Sequence, residues 1–212
     1  MRLIKPFTII HLINYAFQYV IDTSAKYNID ESHSLKHSME VFGYAKRIYD
    51  TEIVTNSFLL NQKEIIYMAA IGHDMCDKKY MDEKEGIERY QNYLSEFMKP
   101  NDLKIMGNII ETMSYSKVKV NGYPNLGEYQ LAFHIVREAD LLSAYDIDRC
   151  IMYNMYVKNT DYYTSLLYAF DLFDNRINKM ISDNLFITET GKKESLKLHD
   201  TSKIQVDNLR NL

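Results

Sequence analysis

Apolar residues recur at helical spacing along nearly the whole of this chain. In residues 7–26 the set is Ile9, Leu12, Ile13, Phe17 and Val20, and in residues 34–51 it is Val41, Phe42, Ala45, Ile48 and Tyr49. In residues 62–72 it is Ile65, Ile66, Ala69 and Ala70, and in residues 84–98 it is Ile87, Tyr90, Tyr93, Leu94 and Phe97. Steps of three and four gather side chains on one side of a helix, whereas a strand would need alternation. Interruptions are few, with 7 Gly and 3 Pro in 212 residues. Pro100 closes one helix, and Asp102 is a candidate cap for the next, over 102–115. Asn121-Gly122-Tyr123-Pro124 marks a loop over 116–126, whose strand-like stretch 117–120 is too short to build a sheet. Longer helices are expected over 127–157, 161–182 (capped by Asp161) and 189–209, with a break at Asp183-Asn184. The expectation is an all-α fold, one domain over 1–212 with about six to eight helices.

Composition narrows the classes of partner. A net charge of −4 with a pI near 5.9 gives no field that would draw a nucleic-acid polymer or an anionic membrane. Hydrophobic residues at 46% are enough for a core. Two cysteines, Cys76 and Cys150, are too few for a disulfide framework and have no evident activating neighbour. Met1 to Pro6 forms a short charged head, and His11, Asn14 and Gln18 break the apolar run behind it. That run reads as an amphipathic helix rather than an export or membrane segment, so the cytoplasm is the expected compartment. The 18 tyrosines, beside no Trp, read as composition; those at 153, 156, 162, 163 and 168 are expected to pack rather than to stack a ligand.

The chemistry-bearing residues stand on apolar stripes. His37, Val41, Ala45 and Ile48 share one face, and Ile66, Ala69, Ala70 and His73 share another, with Asp74 following. Asp140 sits between Ala132, Val136 and Ala144. A buried carboxylate without a partner is costly, and two inward histidines with two inward carboxylates suit a metal ion. Periodicity shows only that each faces inward, so separately satisfied core polar groups remain the alternative.

His37, the His73-Asp74 doublet and Asp140 resemble the H…HD…D signature of the HD superfamily of metal-dependent phosphohydrolases. The resemblance extends through Ser32-His33-Ser34-Leu35-Lys36-His37 and through Ala69-Ala70-Ile71-Gly72-His73-Asp74 with the Asp77 and Lys78 that follow. It continues through Ile110 to Lys117 and Val136 to Ala144, and reaches the tail at Phe173-Asp174-Asn175-Arg176. It covers about residues 30–200 and is closest to the stand-alone bacterial YedJ-like group. Glu40, Leu141 and Ser143 depart from that group's pattern, which bears on phosphate contacts rather than on the metal ligands.

The resemblance implies a helical HD-domain bundle, with a metal-site core over about 30–157 and the helices of 160–212 packed on it. It implies one divalent ion held by His37, His73, Asp74 and Asp140. Mn²⁺ comes first, with Mg²⁺, Fe²⁺, Co²⁺ or Ni²⁺ as alternatives. Such an ion polarises a phosphoryl oxygen and activates a water. Asp74, Asp77 and Lys78 are the expected catalytic residues, and His33, Lys78 and Lys117 the expected substrate contacts. The expected reaction converts a nucleoside triphosphate to monophosphate and pyrophosphate. Alternatives are a 5′-nucleotide phosphomonoesterase, or a catalytically weak nucleotide-binding module; a homodimer is compatible with either. His134 and Arg137 are expected to be structural, Arg137 in a surface salt bridge.

Overall fold

The computed structural model describes residues 8–211. The expected charged head at Met1 to Pro6 lies outside the described residues. Among those described there is no strand, and ten α-helices carry the chain. They are α1 (Ile9–Tyr27), α2 (Leu35–Glu52), α3 (Lys63–Gly72), α4 (Glu83–Leu94), α5 (Pro100–Thr112), α6 (Tyr115–Asn121), α7 (Gln130–Ser143), α8 (Ile147–Lys158), α9 (Tyr162–Asn175) and α10 (Glu189–Arg210). None of the described helices is long and apolar enough to cross a membrane.

The count exceeds the sequence expectation for local reasons. The expected helix over 127–157 is two helices. Asp146 turns its side chain back to accept from the amides of Asp148 and Arg149 and so starts α8 afresh. The loop expected over 116–126 contains α6, because the Ser114 hydroxyl accepts from the Lys117 amide. The strand-like stretch 117–120 is therefore helical. The expected helix over 161–182 ends at Asn175, with Arg176 at the bend before a short 3₁₀ turn. Asp161 caps α9 as expected, accepting from the Thr164 amide. Asp102 does not cap α5; it lies in the first turn, behind Pro100.

The core is built around α3, whose residues Ile65 to Gly72 are all buried. Helices α1, α2, α5 and α7 pack on it, α2 lies along α7, and α10 rests on α7 and α2. A helix hydrophobic all round belongs at the centre of a bundle, and α3 is that helix. Its C-terminal end therefore opens into the middle of the fold, where α2 and α7 also pass. Gly72 fits there because Tyr90 of α4 lies against its Cα, and a Cβ would come within 2.1 Å of that ring.

Candidate metal centre

Each member of the cluster comes from a different part of this core. His37 is in the first turn of α2, His73 and Asp74 lie on the 3₁₀ turn that continues α3, and Asp140 is near the end of α7. His37 Nε2 lies 3.1 Å from His73 Nε2 and 3.1 Å from Asp74 Oδ2. His73 Nε2 lies 3.4 Å from Asp74 Oδ1. Asp140 Oδ1 stands 3.6 Å from His37 Nε2 and 3.7 Å from His73 Nε2. The donor atoms of His37, His73 and Asp74 all fall within 4.8 Å of one another. Ligands about 2.1 Å from one ion stand about 3 Å apart in an octahedron, so these spacings suit a single site.

The hydrogen-bond inventory also calls for a cation. His73 Nδ1 donates to the Ala70 carbonyl at 2.9 Å, which turns the Nε2 lone pair toward His37 in the neutral ring. Asp74 Oδ2 is buried with no hydrogen-bond partner. The Arg149 guanidinium faces His37 Nε2 at 3.0 Å, while the His73 ring and the carboxylates of Asp74 and Asp140 crowd the same point, an arrangement that a bound cation would also satisfy. Burial, reinforced by the neighbouring Arg149 guanidinium, drives the His37 pKa down to about 4, leaving a neutral ring. For His73, burial pulls the same way but Asp74 and Asp140 outweigh it, holding the pKa up at about 9. Burial would raise both carboxyls, yet the histidines hold Asp74 and Asp140 well below the usual range. His37, His73 and Asp74 could therefore hold a metal ion, with the Asp140 carboxylate beside them.

His73, Asp74 and Asp140 line one wall of a cavity of about 350 Å³, a size that suits a small ligand. Of the expected substrate contacts, His33 is buried on this wall rather than on a helix surface. Ser32 Oγ donates to Asp30 at 2.5 Å and accepts from His33 Nδ1 at 2.6 Å, which leaves His33 Nε2 to accept from Lys79 at 3.1 Å. Tyr80 steadies Asp30 by donating to its other oxygen. Asp77 lines the cavity and ties down the turn by accepting from the Lys79 amide. Lys78 is exposed on the rim. Lys117 also lines the cavity, but its ammonium is committed to Glu83 and to the Glu111 carbonyl, each at 2.5 Å.

Several neighbours were not expected from the sequence. Arg149 of α8 donates to the Ser32 carbonyl at 2.6 Å, and its Nη2 lies 3.0 Å from His37 Nε2 and 3.8 Å from Asp74 Oδ2. Lys79 and Arg176 also line the cavity. On a continuous helix Arg149 would stand about 180° around from Asp140, at roughly 100° per residue. The break capped by Asp146 brings it back to the cluster, and that cap was the signal available in the sequence. The departures are placed too: Leu141 lines the cavity, the Ser143 hydroxyl donates to the Asp140 carbonyl, and Glu40 is half-buried.

Two expectations are corrected. Arg137 makes no surface salt bridge; it is fully buried, donates to the Leu185 carbonyl and lies over the Tyr123 ring. The tyrosines of α8 and α9 are not packed away, since Tyr156, Tyr162, Tyr163 and Tyr168 are exposed and Tyr153 and Tyr168 line the cavity. Cys76 and Cys150 are buried free thiols, as expected, pushed by burial up to about 12 and about 11. His134 is buried and turned toward Gln130, outside the cluster.

No family model matches this chain, and no curated protein does. A solved structure of a Lactobacillus plantarum protein, a structural-genomics target, superposes with a TM-score of 0.68. The superposition covers 94% of this chain and 95% of that one, at 19% identity. That likeness concerns the fold.

Proposed function

We propose that this protein is a metal-dependent phosphohydrolase of the HD type. One observation supports the reading above the rest: a buried His37–His73–Asp74 group with Asp140 beside it, of which His73, Asp74 and Asp140 line a cavity that also holds Arg149, Lys78 and Lys79. Acceptors gathered at one point favour a cation, and cations around it favour an anionic substrate. One divalent ion, Mn²⁺ by preference, is the expected cofactor, with His37, His73, Asp74 and Asp140 as its holders. When bound, such an ion supplies Lewis acidity at a phosphoryl oxygen and a water acidic enough to react near neutral pH.

The chain's own residues supply the rest. His73 is fixed in the ligating tautomer by Ala70, and Asp74 has an oxygen free of other bonds. Arg149, anchored on the Ser32 carbonyl, presents a guanidinium edge to phosphoryl oxygens beside the cluster. Lys78 and Lys79 add positive charge at the rim, and Asp77 holds their turn. His33, oriented by the Asp30–Ser32 chain, holds the Lys79 ammonium at the cavity wall. In the preferred reaction water adds at phosphorus, the anhydride P–O bond breaks, and a nucleoside triphosphate yields monophosphate and pyrophosphate.

A nucleotide panel with Mn²⁺ tests the proposal. Pyrophosphate release lost in Asp74→Ala is the expected result. Orthophosphate release from 5′-monophosphates would assign a phosphomonoesterase instead, and metal bound without turnover on any substrate would reduce the protein to a binding module.

A further inference from the structure

Arg176 lies at the bend between α9 and the following 3₁₀ turn and lines the same cavity as the cluster. Its guanidinium carbon stands 3.9 Å from the centroid of the Tyr115 ring, so one face of the group is covered. Its Nε is buried and has no hydrogen-bond partner. Among the described residues no carboxylate pairs with it. Arg210, by contrast, is paired with Asp174.

Arg176 is half-buried, and its unpartnered Nε is a donor left available to a ligand at the cavity. Stacking on Tyr115 leaves only the in-plane edges of the guanidinium free, and such an edge forks onto an oxyanion. The cavity thus has two arginines on its lining, Arg149 beside the cluster and Arg176 against Tyr115. We infer that Arg176, braced by Tyr115, forms a second phosphate subsite, so that the cavity selects ligands carrying two or more linked phosphates over those carrying one. This rests on the proposed phosphohydrolase reading and deepens it, since it makes phosphate-chain length the selected property.

The test compares methylenediphosphonate, methylphosphonate and malonate by titration calorimetry on Mn²⁺-saturated protein, with metal content measured on the same samples. The wild type should bind methylenediphosphonate at least tenfold more tightly than methylphosphonate. Arg176→Gln should weaken methylenediphosphonate about tenfold, the size of one lost charge-assisted fork, and leave methylphosphonate and metal content unchanged. Arg176→Lys should restore part of the loss, and Tyr115→Leu should mimic Arg176→Gln in part. Equal weakening of both phosphonates, or of neither, would overturn the inference while leaving the metal site standing. Malonate bound as tightly as methylenediphosphonate would also overturn it, by assigning the subsite to carboxylates. If the protein takes up no metal, the function proposal fails, and the Arg176 effect is read from the same titration in chelator; its absence there overturns the subsite as well.

Discussion

Gly72→Ala should destabilise the protein although alanine is the better helix former. Gly72 ends α3, and a Cβ there would lie 2.1 Å from Cε1, 2.4 Å from Cζ and 2.8 Å from Cδ1 of Tyr90. Ordinary contact begins near 3.4 Å, so the ring would have to retreat by more than an ångström. It has little room, being fully buried, 4.7 Å from the Tyr19 centroid and donating to the Met68 carbonyl at 3.0 Å. Overpacking of this kind costs about 1–3 kcal/mol. Losing the tyrosine hydrogen bond adds about 1 kcal/mol, against a helix-propensity gain of at most about 1 kcal/mol. The net loss of about 1–3 kcal/mol corresponds to a fall of roughly 2–12 °C in Tm. Gly43→Ala is the matched control. Nothing lies within 4 Å of a Cβ at that position in α2, so the same change should stabilise by about 0.5–1 kcal/mol. Urea unfolding followed by circular dichroism measures both. Gly72→Ala equal to or above wild type in stability would refute the packing argument.

Two further outcomes follow from buried charges. His73, held near 9, carries a proton at neutral pH in metal-free protein, and a metal ion must displace it. Mn²⁺ uptake at pH 7, measured by calorimetry in buffers of different ionisation enthalpy, should release close to one proton and release progressively less above pH 9. No release at pH 7 would contradict the assignment. The same raised value means that, without metal, the stabilisation from His73 is complete below its unfolded pKa of about 6.5 and is lost as pH rises through 9. Glu138, fully buried on α7, accepts from the Ile187 and Thr188 amides and the Thr188 hydroxyl. Glu138→Ala strands those donors and should cost about 2–4 kcal/mol in urea unfolding. Burial raises the Glu138 pKa to about 7, so its contribution is greatest below 4.5 and shrinks as pH rises through 7. That slope should be absent from the variant, and an unchanged slope would remove Glu138 as its source.

Much of this was legible in the residues. The stripes that contain His37, His73 and Asp140 report burial directly, because a helix of fixed pitch turns spacing into direction. The structure gathers His37, His73 and Asp74 and sets Asp140 beside them, which spacing alone could not show. The cavity was less legible. Arg149 and Arg176 both stand at helix breaks, after the Asp146 cap and after Asn175, and a break resets the angular register that a continuous pattern implies. Arg137 was misplaced because a charged residue by default reads as surface, whereas here the Leu185 carbonyl and the Tyr123 ring receive its guanidinium. The exposed tyrosines of α8 and α9 were misplaced for the opposite reason, since aromatic content by default reads as core.

The central claim is that His37, His73, Asp74 and Asp140 hold one divalent ion, and metal content tests it most directly. Protein prepared with Mn²⁺, passed through a desalting column and assayed by mass spectrometry of the metal, should retain close to one ion per chain. Single replacements His37→Ala, His73→Ala, Asp74→Ala and Asp140→Ala should each remove it while circular dichroism stays helical. Retention unaffected by all four replacements, or no retained ion in the wild type, would contradict the account.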